Sequence, residues 1–191
     1  MDVKAWKNQV QAARQHKDAF LASHVQSPLP LSDQRRFKGL AYWPPDPACR
    51  FELPLDEYAD KDVISVADTG GHERSLWRWG AFHFELEGQQ CTLHAYKSDP
   101  TDERFFIPFR DKTNGNQSYA AGRYLDLDAP TQRIEGGKWV LDLNEAYNPW
   151  CAYSKNYVCP FVPPENGLNV SVRAGEKQYP LGKDEDKTTD A

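Results

Sequence analysis

Hydrophobic and polar residues alternate along most of the chain after its first quarter, and this period-2 pattern predicts β-strands. The clearest case is the segment RSLWRWGAFHFELE at residues 74–87, where Phe82 and Phe84 fall on one face and His83 and Glu85 on the other. Aromatic and β-branched residues suit such a half-buried pleated surface. The segment therefore predicts a long strand with one apolar face.

A turn follows this strand at Gly88, and the segment CTLHAYK then returns as the next strand of a hairpin. A two-residue loop at Gly88-Gln89 would place His83 opposite His94. A loop centred on Glu87-Gly88 would shift that pairing. Both choices keep the apolar residues of the two strands on a common face, so the sequence predicts the face but leaves the register open.

The other strands are predicted from shorter alternating or apolar runs that are bounded by glycine, proline or asparagine. They cover residues 50–55, 63–67, 104–109, 123–127, 138–143 and 168–174. Pro54 favours an edge position for the first of them, because proline has no N–H to donate to a neighbouring strand. Strands do not alternate with helices here. The pattern therefore predicts a mainly β fold, an antiparallel β-barrel or sandwich of about eight strands.

The N-terminal region has a different period. Val3 and Trp6 begin a set of apolar residues at helical spacing, so residues 2–24 predict an amphipathic helix. Such a helix either packs across the outside of the sheet or binds a partner. A short helical turn with Ser32 as its N-cap is predicted next. Prolines then make residues 37–47 an extended segment that wraps the domain.

Length and charge restrict the class of protein. The chain of 191 residues has the size of one ordinary domain, which can bury a core without disulfides. We assign residues 1–181 to a single β-rich domain and the polar residues 182–191 to a disordered tail. A net charge of −5 argues against non-specific binding of nucleic acid, which requires a cationic surface.

The sequence also bears on the cellular compartment. No apolar run is long enough to span a bilayer, and the N-terminal MDVKAWKNQVQ lacks the apolar core of a secretory signal. These features predict a cytoplasmic protein without a membrane partner. The four cysteines are then expected to be reduced thiols.

The first candidate site is the turn RDKTNGN with the residues that follow it. The candidate ligand-binding residues here are Arg110, Lys112, Thr113, Tyr119 and Arg123. Arginine presents a planar fork of donors that matches carboxylate and phosphate groups, and an Asn- and Gly-rich turn can point backbone N–H groups inward. The alternative is a surface turn whose charged residues pair locally, since such turns are common without any ligand.

The second candidate site is the long segment at residues 144–166, which contains four prolines and lacks clear periodicity. Its candidate ligand-binding residues are Asn144, Tyr147, Asn148, Cys151, Cys159 and Glu165. An Asn or Tyr at a strand end can orient a ligand, and a cysteine near an arginine can be an activated thiolate, although no histidine lies nearby as its base. In the alternative interpretation the polar side chains hydrogen-bond the loop's own backbone.

A metal site is a third, alternative interpretation. His83, His94 and Glu85 would supply two imidazoles and a carboxylate if the hairpin brought them together. However, the alternation places this face of the hairpin in solvent. The spacing of Cys151 and Cys159 is not that of a zinc site either.

Several segments together resemble the family known as domain of unknown function 1684, a group of uncharacterised bacterial and archaeal proteins. They are Phe37-Lys38-Gly39-Leu40, Pro44-Pro45-Asp46-Pro47, Phe109-Arg110-Asp111, Gly122-Arg123-Tyr124-Leu125, Leu141-Asp142-Leu143-Asn144, Ala146-Tyr147-Asn148-Pro149, Cys151-Ala152-Tyr153, Cys159-Pro160, Pro163-Pro164-Glu165-Asn166 and Ala174-Gly175-Glu176-Lys177. The chain departs from the family phrase at Leu143, where a phenylalanine is usual. The resemblance covers most of the chain and implies no particular chemistry.

The main functional hypothesis is the binding of a small polar or anionic ligand between the Arg110–Arg123 segment and the Asn144–Glu165 loop. One alternative is an enzyme that uses a flavin or a metal on a small β-barrel. Another is a structural or interaction protein that docks through the N-terminal helix or through aromatics such as Trp43 and Trp150. The sequence specifies neither a cofactor nor an oligomeric state.

Overall fold

The computed structural model describes residues 1–180, so the predicted tail at residues 182–191 lies outside the described residues. The helices are α1 (Val3–Ser23), α2 (Leu31–Gln34) and α3 (Ala129–Gln132). The strands are β1 (Arg50–Pro54), β2 (Asp56–Ala67), β3 (Glu73–Leu86), β4 (Gln89–Lys97), β5 (Arg104–Phe109), β6 (Arg123–Asp128) and β7 (Lys138–Asp142). Short 3₁₀ turns include Leu143–Glu145, Trp150–Ala152 and Pro164–Asn166.

The strands form two antiparallel sheets. Five strands follow chain order as β2-β3-β4-β5-β6, and β1 pairs with β7 in a separate two-stranded sheet. A mainly β, antiparallel fold with an N-terminal helix is therefore confirmed. The barrel is not: within residues 1–180 no ladder closes either sheet on itself or joins the two sheets. Pro54 lies at the end of an edge strand, where its missing donor costs nothing.

The predicted strand at residues 168–174 is wrong, and the described chain has seven strands instead of about eight. Alternate residues of the segment are buried, as the period-2 pattern predicts. Its backbone, however, pairs with the 110–112 segment only briefly: the Leu168 N–H donates to the Arg110 carbonyl, and the Lys112 N–H donates to the Val170 carbonyl. Beyond Val170 the backbone bonds to side chains. Arg123 donates to the carbonyls of Val172 and Ala174, and the N–H of Val172 donates to Asp111. These two side chains take the place of a neighbouring strand over residues 172–174.

The β3–β4 hairpin turns at Glu87 and Gly88, whose φ angles are 51° and 72°. Positive φ at both central residues matches the right-handed twist of a hairpin, and glycine adopts it without strain. His83 therefore lies opposite Thr92 and not opposite His94. The alternative loop at Gly88-Gln89 is wrong, and the loop centred on Glu87-Gly88 is confirmed.

The two sheets share one hydrophobic core. The rings of Phe51 in β1 and Phe84 in β3 have centroids 4.7 Å apart, and those of Phe105 in β5 and Trp139 in β7 are 4.9 Å apart. Burying such a side chain contributes roughly 1.5–3 kcal/mol relative to leaving it exposed. Aromatic contacts across the gap therefore fix the small sheet against the large one.

Helix α1 confirms the N-terminal prediction. Asp2 caps it by accepting hydrogen bonds from the N–H groups of Lys4 and Ala5. The apolar face buries Trp6 and Val10, and the indole N–H of Trp6 donates to Asp142 at 2.7 Å. This contact places α1 over the end of β7. None of the helices in residues 1–180 has the length and apolar character required to cross a membrane.

The next helix, α2, begins at Leu31, two residues earlier than an N-cap at Ser32 predicts. Pro30 occupies the N-cap position and no side chain caps the helix, so the assignment of Ser32 as N-cap is wrong. Proline at this point sets the entry angle of the chain by its fixed φ.

Strand β2 is longer than the predicted residues 63–67, because it continues back to Asp56 across a register shift.

Candidate functional site

A cleft of about 330 Å³ lies between α1 and the turn that follows β7. Its volume is at the lower end of the range for small-molecule sites, roughly 300–1,000 Å³. The lining residues are Val10, Ala13, Arg14, Lys17, Tyr42, Asn144, Glu145, Ala146, Tyr147 and Glu176. Arg14 and Lys17 are three residues apart on α1, which puts them on one face of the helix.

Arg14 is the central cation of the cleft. It donates to the backbone carbonyls of Trp43 at 2.7 Å and Asn144 at 3.1 Å, and it stacks over the Tyr42 ring at 4.5 Å. Its Nε is buried and has no hydrogen-bond partner within residues 1–180. Burial lowers the pKa of Arg14, but a guanidinium stays charged at neutral pH. Both hydrogen bonds of Arg14 go to neutral carbonyl groups. No carboxylate in residues 1–180 is in contact with its guanidinium.

Lys17, in contrast, is neutralised by Glu176. The ammonium lies 2.5 Å from one Glu176 oxygen, and the other oxygen accepts from the Tyr153 hydroxyl at 2.5 Å and the Asn148 N–H at 2.8 Å. Glu176 is only 1% exposed. A buried carboxylate with this set of partners forms the floor of the cleft and ties α1 to the C-terminal part of the fold.

Two tyrosines form the aromatic part of the lining. The Tyr147 hydroxyl donates to Asp126 at 2.6 Å, while the buried Tyr42 hydroxyl has no partner in the described residues. Burial is the main cause that raises the pKa of both phenols well above their usual value. Both side chains are therefore neutral, and Tyr42 retains an unused donor beside Arg14.

Asn144 fixes the opposite wall. Its amide nitrogen donates to the Asp46 carbonyl and the Asp142 carboxylate, each at 2.8 Å, and its amide oxygen accepts from the Asp46 N–H at 2.8 Å. Because the side chain is fully used in this way, the contribution of Asn144 to the cleft is its position and its backbone carbonyl. Asn144 and Tyr147 are the predicted site residues that line the cleft.

The first predicted cluster folds onto itself. Arg123 is fully enclosed and pairs with Asp111 at 2.7 Å, while its remaining bonds go to backbone carbonyls of residues 172–176. Burial lowers the pKa of Arg123 and Asp111 opposes that shift. The Thr113 hydroxyl bonds to Ser118 at 2.7 Å. Side chains in this cluster thus hold the turn and the segment after it.

The exposed residues of the same turn point elsewhere. Arg110 and Lys112 have exposed side chains, and their N–H groups donate to the carbonyls of Asn166 and Val170. The Tyr119 hydroxyl reaches the Cys151 sulfur at 3.7 Å. The structure therefore does not bring the turn's cations together in one pocket.

In the second predicted cluster, Asn148 and Glu165 also have internal partners. The Asn148 amide nitrogen donates to the Lys177 carbonyl at 2.8 Å, whereas its amide oxygen is buried without a partner in residues 1–180. Glu165 accepts from the Tyr96 hydroxyl at 2.6 Å and from Arg78 at 3.0 Å. These contacts attach the long loop to the sheet.

The same loop brings Cys151 and Cys159 together. Both are free and buried, and the Cys151 N–H donates to the Cys159 sulfur at 3.3 Å. Cys49 and Cys91 are also free. The spacing of the two cysteines in the sequence does not indicate this contact, which depends on the fold of the loop between them.

The alternative metal residues do not converge. His94 bonds to the Tyr58 hydroxyl at 2.7 Å, His83 lies 3.0 Å from the Thr92 hydroxyl, and Glu85 accepts from Gln90. Across residues 1–180, no three or more His, Cys, Asp or Glu side chains are grouped so that they could hold a metal ion. Burial lowers the pKa of His94, so its imidazole is neutral.

Another cavity, of about 410 Å³, is lined by residues of β2, β3, β4, β5, α3 and β7 and of the turns beside them. There the Lys97 ammonium sits 3.8 Å from the centre of the Trp79 ring and 5.3 Å from that of Phe105. Acidic and basic side chains are mixed around it, including Glu57 and Arg133. Three acids, Glu57, Asp102 and Glu103, line this cavity, so it suits an anionic ligand less well than the α1 cleft does.

The helix is the part of the cleft that sequence reasoning missed. Arg14 interrupts the apolar face that Trp6 and Val10 define, and Lys17 interrupts it again. Long basic side chains within a buried helical face are a usable signal, because burying a cation is costly unless it has a purpose or a partner. The partners themselves lie about 130 residues further along the chain, as for Arg14 and Asn144.

Comparison with known proteins defines the class of protein. The chain has the fold of a protein solved by NMR, the uncharacterized protein from gene locus rrnAC0354 of Haloarcula marismortui. The two share 37% sequence identity and a TM-score of 0.69, over 92% of this chain and 96% of that one. No curated protein matches the chain.

A family match identifies the chain more closely. Residues 35–177 match the family described as "Protein of unknown function (DUF1684)". The match spans well over half of the chain, so the protein belongs to this family, and the resemblance seen in the sequence motifs is confirmed.

Proposed function

We propose that this protein binds a small organic anion, a carboxylate with an apolar or aromatic body, in the cleft between α1 and the turn after β7. The observation that carries the proposal is Arg14, a half-buried cation whose two hydrogen bonds go to backbone carbonyls and whose Nε has no partner in residues 1–180. A buried polar group without a partner is costly, and a ligand that supplies the partner recovers that cost.

The second support is the composition of the walls. Val10, Ala13 and Ala146 are apolar, and Tyr42 and Tyr147 add aromatic surface. Small-molecule sites typically combine such walls with a few polar groups that fix the ligand's orientation. Among the polar groups of this cleft, Arg14 Nε and the Tyr42 hydroxyl have no partner within residues 1–180, and both are donors that suit a carboxylate.

The charges also favour an anion over a cation. Two acids line the cleft, Glu145 and Glu176. Burial raises the pKa of Glu145 to about 7, which reduces its negative charge near neutral pH. Glu176 already accepts from Lys17, Tyr153 and the Asn148 backbone. It has little capacity left for a bound cation. Arg14 has no contacting carboxylate in the described residues, so an anionic ligand would complete the pairing.

The test uses benzoate and hexanoate as probes, with benzamide and hexanamide as uncharged analogues. Backbone resonances of the isotopically labelled chain are followed by NMR during titration. We expect saturable shifts in α1 and at residues 144–147, and binding roughly tenfold weaker for the amides, because a charge-assisted hydrogen bond is lost. Arg14→Met should weaken carboxylate binding by about the same factor.

Arg110→Met is the matched control, because Arg110 has an exposed side chain outside the cleft. It should bind the carboxylates as the original chain does. Shifts that never saturate, or an Arg14→Met variant with unchanged affinity, would overturn the proposal.

A further inference from the structure

Cys151 and Cys159 lie in contact at the surface-facing end of the long loop. The backbone N–H of Cys151 donates to the Cys159 sulfur at 3.3 Å, so the two residues are in direct contact. The two side chains also belong to one buried cluster with Tyr124. Seven residues separate the two cysteines in the chain, and a turn closed by the Tyr157 N–H and the Ser154 carbonyl lies between them.

We propose that Cys151 and Cys159 form a redox-active dithiol that is oxidised to a disulfide by small hydroperoxides. Nucleophilic attack on a peroxide requires a thiolate, and disulfide formation requires a second thiol in contact with the first. The contact between the two residues supplies the second requirement, and the surroundings of Cys159 bear on the first. This proposal concerns a site separate from the Arg14 cleft and does not depend on it.

The surroundings of Cys159 favour its thiolate. The hydrogen bond with Cys151 is the largest cause that lowers the pKa of Cys159; backbone N–H groups and Arg74 act in the same direction, against burial. The same hydrogen bond, together with burial, raises the pKa of Cys151. Donors that converge on one sulfur of a dithiol are typical of an attacking cysteine. Cys159 is therefore the attacking residue and Cys151 the resolving one.

The other two cysteines provide an internal contrast. Burial raises the pKa of Cys49 to about 11 and also raises that of Cys91. Neither has another cysteine among its hydrogen-bond partners in residues 1–180. The four thiols are thus similarly buried, but the pKa values of Cys49 and Cys91 are raised whereas that of Cys159 is lowered.

Access to the pair restricts the oxidant. The exposed fractions are 9% for Cys151 and 8% for Cys159, so only a small reagent reaches the sulfurs without local opening. The neighbours Trp150, Val158 and Phe161 are each more than 40% exposed, which places the pair directly below the surface. Hydrogen peroxide meets this size limit.

The reaction balances in two steps. The Cys159 thiolate attacks one peroxide oxygen, the O–O bond breaks, and the departing hydroxide takes a proton from solvent to leave as water. The Cys151 thiol then attacks the sulfur of the Cys159 sulfenic acid. An S–S bond forms, and the sulfenic hydroxyl leaves as a second water with the thiol proton. Overall, two thiols and one hydrogen peroxide give one disulfide and two waters.

The experiment exposes the reduced full chain to hydrogen peroxide, blocks the remaining thiols with iodoacetamide, and measures intact mass followed by peptide maps. We expect loss of two hydrogen atoms and a disulfide that joins the Cys151 and Cys159 peptides. Dithiothreitol should reverse it. Oxidation at this pair should be roughly tenfold or more faster than at Cys49. A disulfide elsewhere, or oxidation of Cys49 and Cys91 at the same rate, would overturn the proposal.

Two variants assign the roles. In Cys151→Ser, Cys159 should gain one oxygen as a sulfenic acid that dimedone captures. In Cys159→Ser, Cys151 should remain a thiol under the same treatment. Capture at Cys151 instead would contradict the assignment. Disulfide formation is measured on the unsubstituted chain, so this part of the test does not depend on whether either variant folds. Unchanged binding of benzoate after oxidation would leave the Arg14 proposal intact.

Discussion

Arg123 and Arg14 both place a guanidinium group in a polar region, but the partners of the two positive charges differ. Arg123 is 0% exposed and pairs with Asp111 while it also bonds the backbone of residues 172–176. Arg14 is half-buried beside the cleft and bonds to backbone carbonyls, with no carboxylate in contact within the described residues. Both guanidinium groups leave Nε without a hydrogen-bond partner in those residues. The difference is that Arg123 is paired with a carboxylate and enclosed, whereas Arg14 has no such pair and faces a cleft.

The difference shows what a cluster of polar residues in a sequence can mean. Such a cluster indicates that polar groups converge, but a converging group binds a ligand only if the protein itself leaves it unsatisfied. The 110–123 segment has the denser set of polar residues, yet its buried charges, Arg123 and Asp111, pair with each other. In the α1 cleft, Arg14 has no contacting carboxylate within residues 1–180, and the Tyr42 hydroxyl has no partner there.

The largest expected effect comes from Arg123→Met. The substitution leaves Asp111 buried without its cation and removes the donors to the carbonyls of Val172 and Ala174. We expect the free energy of unfolding in urea to fall by about 3–5 kcal/mol. Arg110→Met, at an exposed side chain, should change it by less than about 0.5 kcal/mol. A loss below about 1 kcal/mol for Arg123→Met would contradict a structural role.

Trp6→Phe tests how α1 is held over the cleft. It keeps most of the ring but removes the indole N–H that donates to the buried Asp142 carboxylate at 2.7 Å. We expect a loss of about 1–2 kcal/mol in unfolding free energy and weaker binding of benzoate. Trp150→Phe is the control, because Trp150 is 43% exposed. Equal losses for the two variants would show that the Asp142 contact does not matter.

Arg14→Met should have a smaller effect on stability. The carbonyls that it bonds lie beside an open cleft, where water can replace the guanidinium. We expect the unfolding free energy to fall by about 1 kcal/mol or less, although carboxylate binding falls about tenfold. This split between stability and binding separates Arg14 from Arg123. A loss of stability as large as that of Arg123→Met would remove the distinction.

The smallest effect concerns Asp68, which resembles Asp111 in being internally satisfied. Burial would raise the pKa of Asp68, but hydrogen bonds from the His72 N–H, Arg74 and the Gly70 N–H hold it at about 2. The stabilisation should be complete above the ordinary carboxyl pKa of about 3.9 and should disappear as pH falls towards 2.

The measurement is the unfolding free energy of the original chain and of Asp68→Asn between pH 7 and pH 2. The difference between the two should be constant near neutral pH and should shrink in acid. Asp60→Asn, at an exposed position of β2, serves as the control and should give a smaller, flatter difference. A difference that grows in acid would contradict the sign of the pKa shift.

Local patterns predicted most of the elements. Period-2 alternation located β3 and β7, and apolar residues at helical spacing located α1. These features depend on neighbours a few residues apart, so a single sequence contains them. The same pattern over residues 168–174 predicted burial correctly and hydrogen bonding wrongly. Alternation reports which side faces the core, but it does not report what the backbone bonds to.

The sequence by itself determined the antiparallel β class, the N-terminal helix and the family, through periodicity, turn residues and linear motifs. Only the tertiary structure decided which polar groups are satisfied. Arg123 meets Asp111 within a short stretch of chain, whereas Arg14 meets Asn144 and Trp6 meets Asp142 across 130 and 136 residues. Such pairings depend on how the sheets and α1 pack. A group's free capacity for a ligand is known only after every internal partner has been placed.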